Sequence, residues 1–169
     1  MHRDSLNIRN SIMSDLTTLS KSFKGDLVTP SDPDYAAAIA RWAINANRNA
    51  KVVAFVKDSE DVALALKFAK DNKLPLAIKG GGHSSSGASS SEGGIVIDLS
   101  RHVNSVRVDA ENKLVYVGGG AIWGDVDKAA IEHGLAGVAG TVNHTGVGGC
   151  VKAFQMNVFL PCWYLPNSG

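Results

Sequence analysis

The segment from Lys79 to Gly87 constrains the fold more than any other part of this sequence. It holds three successive glycines, one histidine and three successive serines, and it follows directly on the apolar run Leu76–Ile78. Glycine adopts positive φ without strain and lets a ligand approach the backbone closely. Successive exposed amides form a concavity that suits a phosphate or pyrophosphate. The segment therefore predicts an anion-binding loop after a strand, with a flexible Gly/Ser surface loop as the alternative.

Apolar periodicity before this segment predicts a βαβ unit. Val52–Val56 is typical of a short buried strand, and Asp58 is a good N-cap for a helix that Pro75 would end. Leu76–Ile78 is then a second strand, which leads into the glycine segment. An earlier helix is predicted from apolar residues at spacings of four, three and four, namely Tyr35, Ile39, Trp42 and Ala46.

After the glycine segment the pattern changes to short strands. Ile95–Leu99, Val106–Val108 and Leu114–Val117 read as strands, and a polar turn between the last two predicts an antiparallel hairpin. A helix is expected over Ala121–His133, with Gly134 as its left-handed C-cap. The fold class is therefore α+β, with a βαβ subdomain followed by a mixed or antiparallel sheet with helices.

Charge and cysteine content exclude several function classes. The net charge is +1 over 169 residues, so electrostatics gives no argument for a nucleic-acid or membrane partner. Cys150 and Cys162 make neither a disulfide framework nor a zinc site, and the histidines show no metal-ligand spacing. We expect a cytoplasmic protein, since no apolar run could span a bilayer and residues 1–20 lack a signal-peptide core. A transit peptide at the N-terminus is the alternative.

Known glycine motifs do not account for the segment. A dinucleotide fingerprint needs a helix directly after the loop, and here a strand follows. A P-loop needs a lysine where Ala88 stands. A nucleophile elbow needs glycines on both sides of its serine, and neither Ser84 nor Ser85 has them. These mismatches argue against triphosphate hydrolysis, a Rossmann site and a serine hydrolase.

Five separated motifs carry a resemblance instead. They are Ile78–Ser84 with Gly87–Ser89, Glu92–Ser100, Val117–Trp123, Gly134–Ala136 and Gly146–Gly149. In this order, over about residues 26 to 149, the chain resembles the FAD-binding (PCMH-type) domain of the vanillyl-alcohol oxidase superfamily. The fungal berberine-bridge-enzyme-like oxidoreductases fit best.

The resemblance implies a role for each matching residue. His83 corresponds to the histidine that many members attach covalently to the flavin 8α-methyl, although a mere hydrogen bond to the pyrophosphate is the alternative. Val142 occupies the position of a second, cysteinyl link, and Cys150 lies beyond the frame, so no cysteinyl bond is expected. His144 is either a polar contact or a structural loop residue. The implied FAD-binding residues are Lys79, Gly80, Gly81, Gly82, His83, Ser84, Gly87, Gly140, Thr141, Asn143, Gly146 and Gly148.

The same resemblance implies an oxidoreductase that moves a hydride from an organic substrate to flavin N5 and passes the electrons to dioxygen. The substrate and its base are unknown, because the family's substrate-deprotonating residues would lie beyond residue 169. A non-catalytic flavin-binding remnant is the alternative, and a module for another phosphate ligand is a third, weaker hypothesis.

The sequence departs from the family pattern after Gly149. We expect an N-terminal extension over residues 1–33, a partial FAD-binding domain over 34–149, incomplete at its C-terminal end, and an aberrant tail over 150–169. Among other residues, Asp98 is expected to bond the backbone of Ser100 and Trp123 to pack in the core. We expect surface positions for His102 and His133.

Overall fold

A computed structural model describes residues 16–154 and 163–164 of the chain. Its main sheet has the strand order β1-β2-β4-β3, in which β1 is antiparallel to β2 while β2 and β3 are both parallel to β4. The predicted βαβ unit is present, but its two strands are not neighbours, because β4 lies between them. These strands are β1 (Asp26–Val28), β2 (Val52–Phe55), β3 (Leu76–Lys79) and β4 (Ile95–Asp98).

Four helical segments accompany this sheet. They are α1 (residues 16–22), α2 (Tyr35–Ile39), a 3₁₀ turn (Ile44–Ala46) and α3 (Ser59–Asp71). The side chain of Asp58 caps α3 by accepting the amides of Glu60 and Asp61, as the sequence predicted.

The predicted helix through Trp42 and Ala46 is wrong in length. It ends at Ile39, and Ala40 is extended with ψ 142°. The guanidinium of Arg41 donates to the carbonyls of Ala38 and Ala40, and the Asn47 side chain accepts the Arg41 amide. These bonds use groups that a continuing helix would need, so the chain turns away at residue 40.

The core has two layers, one on each face of the main sheet. On one face, Ala65, Phe68 and Ala69 of α3 pack against β2 and β4. On the other face, Ala38 of α2 packs against residues of β2, β3 and β4. Every residue of β2 and β4 is buried, which explains their unbroken apolar sequence. Leu19 and Phe23 join the first layer, so part of residues 1–33 belongs to this core.

Asp61 fastens the start of α3 to two neighbouring segments. It is fully buried, and its carboxylate accepts the amides of Lys24, Gly25 and Lys57 at 2.9–3.0 Å. A buried carboxylate with three amide donors is well compensated. This one side chain therefore joins the α1–β1 connection to the β2–α3 turn.

The second part of the chain packs around a hairpin, as predicted. Its elements are β5 (Val106–Asp109), β6 (Leu114–Val117), α4 (Trp123–Ile131), β7 (Leu135–Ala136), α5 (Val147–Phe154) and β8 (Trp163–Tyr164). Strands β5 and β6 pair antiparallel. Trp123 is buried at the start of α4, and Gly134 has φ +66°, so both predictions for this helix are confirmed. Helix α5 runs across the boundary at 149/150.

None of the helices among the described residues has the length and apolar character needed to cross a bilayer.

Candidate functional site

Three glycine segments meet backbone to backbone at one place, which we call the glycine junction: Gly80–Gly81, Gly118–Gly120 and Gly146–Gly148. A Cβ on Gly81 would lie 2.4 Å from the amide nitrogen of Gly146, and one on Gly80 would lie 2.7 Å from the carbonyl oxygen of Gly119. A Cβ on Gly148 would lie 2.6 Å from that same oxygen. These glycines are therefore needed for close approach of three chain segments, whatever else binds there.

Positive φ is a second and separate requirement in the glycine segment. Only Gly82, at +69°, and Gly87, at +83°, adopt it. The sequence prediction of a positive-φ turn therefore applies to these two residues, and Gly80 and Gly81 serve the junction instead.

The loop after Gly80 leaves its amides without protein acceptors. Among the described residues, the amides of residues 81–86 donate no hydrogen bond. Three loop carbonyls are used: Gly82 accepts from the Trp42 amide, Ser84 from the Gly87 amide and Ser85 from the side-chain amide of Asn45. A row of free N–H groups on a glycine-rich turn fits an anionic group such as a pyrophosphate.

Lys79 is held at the start of this loop by a buried carboxylate. Its Nζ lies 3.0 Å from Oδ2 of Asp98, which is fully buried, and 3.0 Å from Oγ of Ser100. Ser100 donates its amide and hydroxyl to Oδ1 of Asp98, so the predicted Asp98–Ser100 bond is confirmed. A cavity of about 290 Å³ opens here, at the carboxyl ends of the parallel strands.

Arg41 fastens the far end of the loop. Its guanidinium is buried and donates two bonds, at 3.1 and 2.8 Å, to the carbonyl of Ser89. Burial lowers the pKa of Arg41, while the charge of Asp98 opposes that shift. The sequence analysis missed this residue. Ser89, whose carbonyl it holds, and Ser91 are both buried.

His83, His144 and Trp42 form an aromatic group beside the loop. The Trp42 ring stacks on His83, with centroids 4.5 Å apart and planes inclined by 17°. Nε2 of His83 lies 2.7 Å from Nδ1 of His144, which is a hydrogen bond between the two imidazoles. Burial, and secondly the neighbouring His144, lower the pKa of His83 below its ordinary 6.5, which favours the neutral ring.

Trp42 was predicted to lie on the apolar face of the helix that begins at Tyr35, and this is wrong. It is 63% exposed, because the helix ends before it, and its contacts are with the two histidines. The polar residues that follow shortly after it, Asn45 and Asn47 to Asn49, are a sequence signal that an apolar helix face does not continue there.

The second glycine-rich stretch is held against the start of α4. The carbonyls of Asn143 and Thr145 accept the amides of Gly124 and Trp123, at 2.7 and 3.0 Å. Gly140 lies against the Trp123 indole, 2.7 Å from it when a Cβ is added. The side chains from Thr141 to His144 stay exposed, so this stretch presents them next to the glycine junction.

His102, His133 and Cys150 lie away from the loop in sequence, and His2 and Cys162 are outside the described residues. His102 is partly exposed and shares a 2.8 Å hydrogen bond with Asp26, and His133 is exposed as predicted. Cys150 is a free thiol packed beside the second-part core. No cluster of three or more metal-ligating side chains occurs within the described ranges.

Residues 50–154 match the family model of the FAD binding domain. (R)-6-hydroxynicotine oxidase of Paenarthrobacter nicotinovorans is 34% identical over 137 residues, which cover 81% of this chain and 29% of that protein. The FAD-linked oxidoreductase pgmH of Aspergillus terreus is 40% identical over 139 residues, covering 80% of this chain and 28% of its own length.

Solved structures show the same fold. The crystal structure of 6-hydroxy-D-nicotine oxidase from Arthrobacter nicotinovorans superposes with a TM-score of 0.71 and 34% identity, over 74% of this chain and 27% of that one. The BBE-like 1 protein of Physcomitrella patens has a TM-score of 0.73 at 21% identity, over 81% of this chain and 30% of its own. The chain thus spans under a third of the length of these relatives.

Proposed function

This chain belongs to the FAD binding domain family, and on that premise we propose that it is the cofactor-holding portion of a flavin-dependent oxidoreductase with FAD attached to His83. Its cofactor is FAD, as the matched family and the FAD-linked relatives agree. The observation that carries the proposal is the loop of unpaired amides at residues 81–86, which ends on one side at a glycine junction and contains His83.

The described residues fit the anionic part of FAD. The free amides of residues 81–86 would hold the pyrophosphate, and Arg48, whose Nη2 lies 3.7 Å from a Cβ built on Gly87, would offset its charge. Lys79 would orient the start of the loop through Asp98 and add positive charge beside it. Gly80, Gly81, Gly146 and Gly148 would keep the three segments close enough for this arrangement.

The exposed residues of the second glycine-rich stretch would face the flavin ring. Gly140 and Thr141 would approach it through their backbones, and Asn143 and His144 would offer polar groups. Ser84 and Gly87 complete the loop, whose hydroxyl pair Ser84–Ser86 lies 3.0 Å apart. These assignments rest on the resemblance of the motifs and on the position of this stretch beside the loop.

His83 would carry the covalent link. A neutral imidazole is a nucleophile, and both burial and His144 favour the neutral form. In the bond, an imidazole nitrogen replaces one hydrogen of the 8α-methyl group. This exchange would release two protons and two electrons, with dioxygen as the electron acceptor. The histidine thereby fixes the orientation of the cofactor in the site.

When bound, FAD accepts a hydride from an organic substrate and passes the electrons to dioxygen. The part of the site that this chain supplies binds and orients the cofactor, while we assign no substrate base to residues 1–169. The relatives are named as oxidases and FAD-linked oxidoreductases, and this chain matches under a third of each. We therefore assign the cofactor contacts to residues 34–149. We assign substrate selection to none of the contacts described above.

Acid denaturation in the presence of FAD tests the proposal. The chain is incubated with FAD, denatured in acid and separated by size, and flavin absorbance is read on the polypeptide. We expect flavin to stay with the wild-type chain and to be lost in His83→Ala. The control, His133→Ala, removes an exposed histidine at the end of α4 and should retain it.

Two other outcomes would contradict parts of the proposal. Flavin that binds but leaves in acid would remove the covalent link and favour a non-covalent flavin-binding portion. No flavin on a chain that circular dichroism shows to be folded would contradict the whole proposal.

A further inference from the structure

The two side chains around His83 restrict which of its nitrogens is available. Trp42 covers one face of the imidazole, and His144 bonds its Nε2 at 2.7 Å. Within the part of the chain that is described, Nδ1 of His83 has no hydrogen-bond partner. The ring is therefore fixed on one face and one edge.

The two imidazoles lie edge to edge rather than one above the other. Rings stacked face to face keep their atoms about 3.5 Å apart. The 2.7 Å contact between Nε2 and Nδ1 is shorter than that, while the centroids are 4.7 Å apart and the planes differ by 26°. The Trp42 ring stacks on His83 at a centroid distance of 4.5 Å, and its centroid lies 6.5 Å from that of His144. The indole therefore supports His83 from one face, while His144 bonds its edge.

A hydrogen bond between two neutral imidazoles couples their tautomers, because one nitrogen must donate and the other must accept. If Nε2 of His83 donates to Nδ1 of His144, both rings carry their proton on Nε2, the tautomer that free neutral histidine prefers. The reverse direction would put both protons on Nδ1. The first arrangement is therefore favoured, and it leaves the lone pair of His83 on Nδ1.

From this geometry we infer that His144 and Trp42 are positioning residues, which hold His83 as the Nε2–H tautomer with Nδ1 presented as its nucleophilic nitrogen. The inference deepens the proposed function, since it concerns the residue that would carry FAD. It can be tested on the chain without FAD.

The other charged groups near the loop do not face this hydrogen bond. Lys79 and Arg41 lie against Gly82, and both have carboxylate or carbonyl partners, Asp98 for the lysine and Ser89 for the arginine. Arg48 lies against Gly87. The protonation of His83 is therefore set mainly by burial and by His144.

Long-range ¹H–¹⁵N spectra of the histidine-labelled chain at neutral pH test the tautomer. We expect a protonated Nε2 and an unprotonated, pyridine-type Nδ1 for His83. In His144→Leu the Nδ1 signal should move toward the average of exchanging tautomers. His144→Asn keeps an acceptor oxygen near the place of Nδ1 and should restore the wild-type signal, and His133→Asn should change nothing at His83.

Trp42 gives a second signature. Stacking should shift the ring protons of His83 upfield, and Trp42→Leu should remove that shift while Trp42→Phe keeps most of it. Ile44→Ala is the control, since Ile44 is 84% exposed close to Trp42 in the chain. A protonated Nδ1 in the wild type, or signals that do not respond to His144→Leu, would overturn the inference.

Flavin attachment separates this inference from the proposed function. In His144→Leu we expect acid-stable flavin to form about tenfold more slowly, as for a lost orienting partner. The pH of half-maximal rate should rise toward 6.5, because one cause of the lowered His83 pKa is gone. Equal rates and pH profiles would overturn the inference and leave the link intact. If the spectra are as predicted but no acid-stable flavin forms, the inference about the tautomer stands and the covalent link is contradicted.

Discussion

The four-stranded sheet and the glycine junction adjoin at Lys79, but different contacts hold them together. In the sheet, side chains such as Ile95 and Ile97 are 0–1% exposed and fill the space between strands and helices. At the junction, backbones touch because side chains are missing. Apolar residues of similar volume can replace one another in the sheet, whereas the junction accepts only glycine. The sheet therefore accounts for stability, and the junction accounts for where the loop lies.

Shortening a side chain in the sheet gives the largest expected loss of stability. Ile97→Ala removes a buried side chain from the central strand β4 and should lower the free energy of unfolding by about 2–5 kcal/mol. Urea denaturation followed by tryptophan fluorescence measures it. Ile131→Ala, at a position 69% exposed, should stay within about 0.5 kcal/mol. The amount of flavin bound per folded chain should be unchanged in Ile97→Ala. A loss of flavin in the folded variant would contradict the distinction between the sheet and the junction.

Adding one methyl group at the junction should cost less stability but more function. In Gly81→Ala the new Cβ meets the backbone of Gly146 at 2.4–2.5 Å, so the segments must separate. We expect a loss of about 1–3 kcal/mol together with loss of flavin retention. Gly137→Ala, where no atom lies within 4 Å, is the matched control. A Gly81→Ala chain that retains flavin as well as the control would refute the role given to the junction.

Weakening the hold of Arg41 on the far end of the loop should have an intermediate effect on stability. Arg41→Lys keeps the charge but loses the paired bonds to Ser89, which should cost about 1–2 kcal/mol. Amide hydrogen exchange should become faster between residues 82 and 91 and remain unchanged in β4. Arg107→Lys, on the exposed side of the hairpin, serves as control. Equal exchange in both variants would show that Arg41 does not hold the loop.

The smallest expected effect is a pH dependence at the edge of the sheet. The hydrogen bond from His102, and then that from Arg101, hold the pKa of Asp26 below its ordinary 3.8. Because the folded value is lowered, the carboxylate stabilises the fold above pH 3.8, and this stabilisation is lost as the pH falls through the folded pKa. Asp26→Asn should flatten that part of the stability curve slightly. An unchanged acid limb would contradict this assignment.

The sheet could be predicted from the sequence because its signals are local. Apolar runs mark β2, β3 and β4, and Asp58 marks the start of α3. The order of the strands was not predictable in this way, because the sequence of Ile95–Asp98 does not indicate that this strand lies between β2 and β3. Sequence periodicity likewise could not show that Arg41 would take the carbonyls that a longer α2 needs.

The site was predicted in part, through motifs rather than geometry. The glycine segment and the Asp98–Ser100 pair were identified correctly as features. The contact between Gly81 and Gly146 joins residues 65 positions apart, and the stack of Trp42 on His83 joins residues 41 positions apart. Pattern reasoning within a short window does not reach such separations, and it therefore placed Trp42 on the apolar face of a longer helix.

The position of the junction has a consequence for the order of folding. The main sheet is complete once residue 98 has been synthesised, whereas Gly80 and Gly81 meet their partners only when residues 119 and 146 exist. Chains fold from the N-terminal end during synthesis, and distant contacts form late. The main sheet of a nascent chain can therefore form before the residues that contact Gly80 and Gly81 have been synthesised. On the proposed function, capture of the cofactor waits until Gly146 has been synthesised.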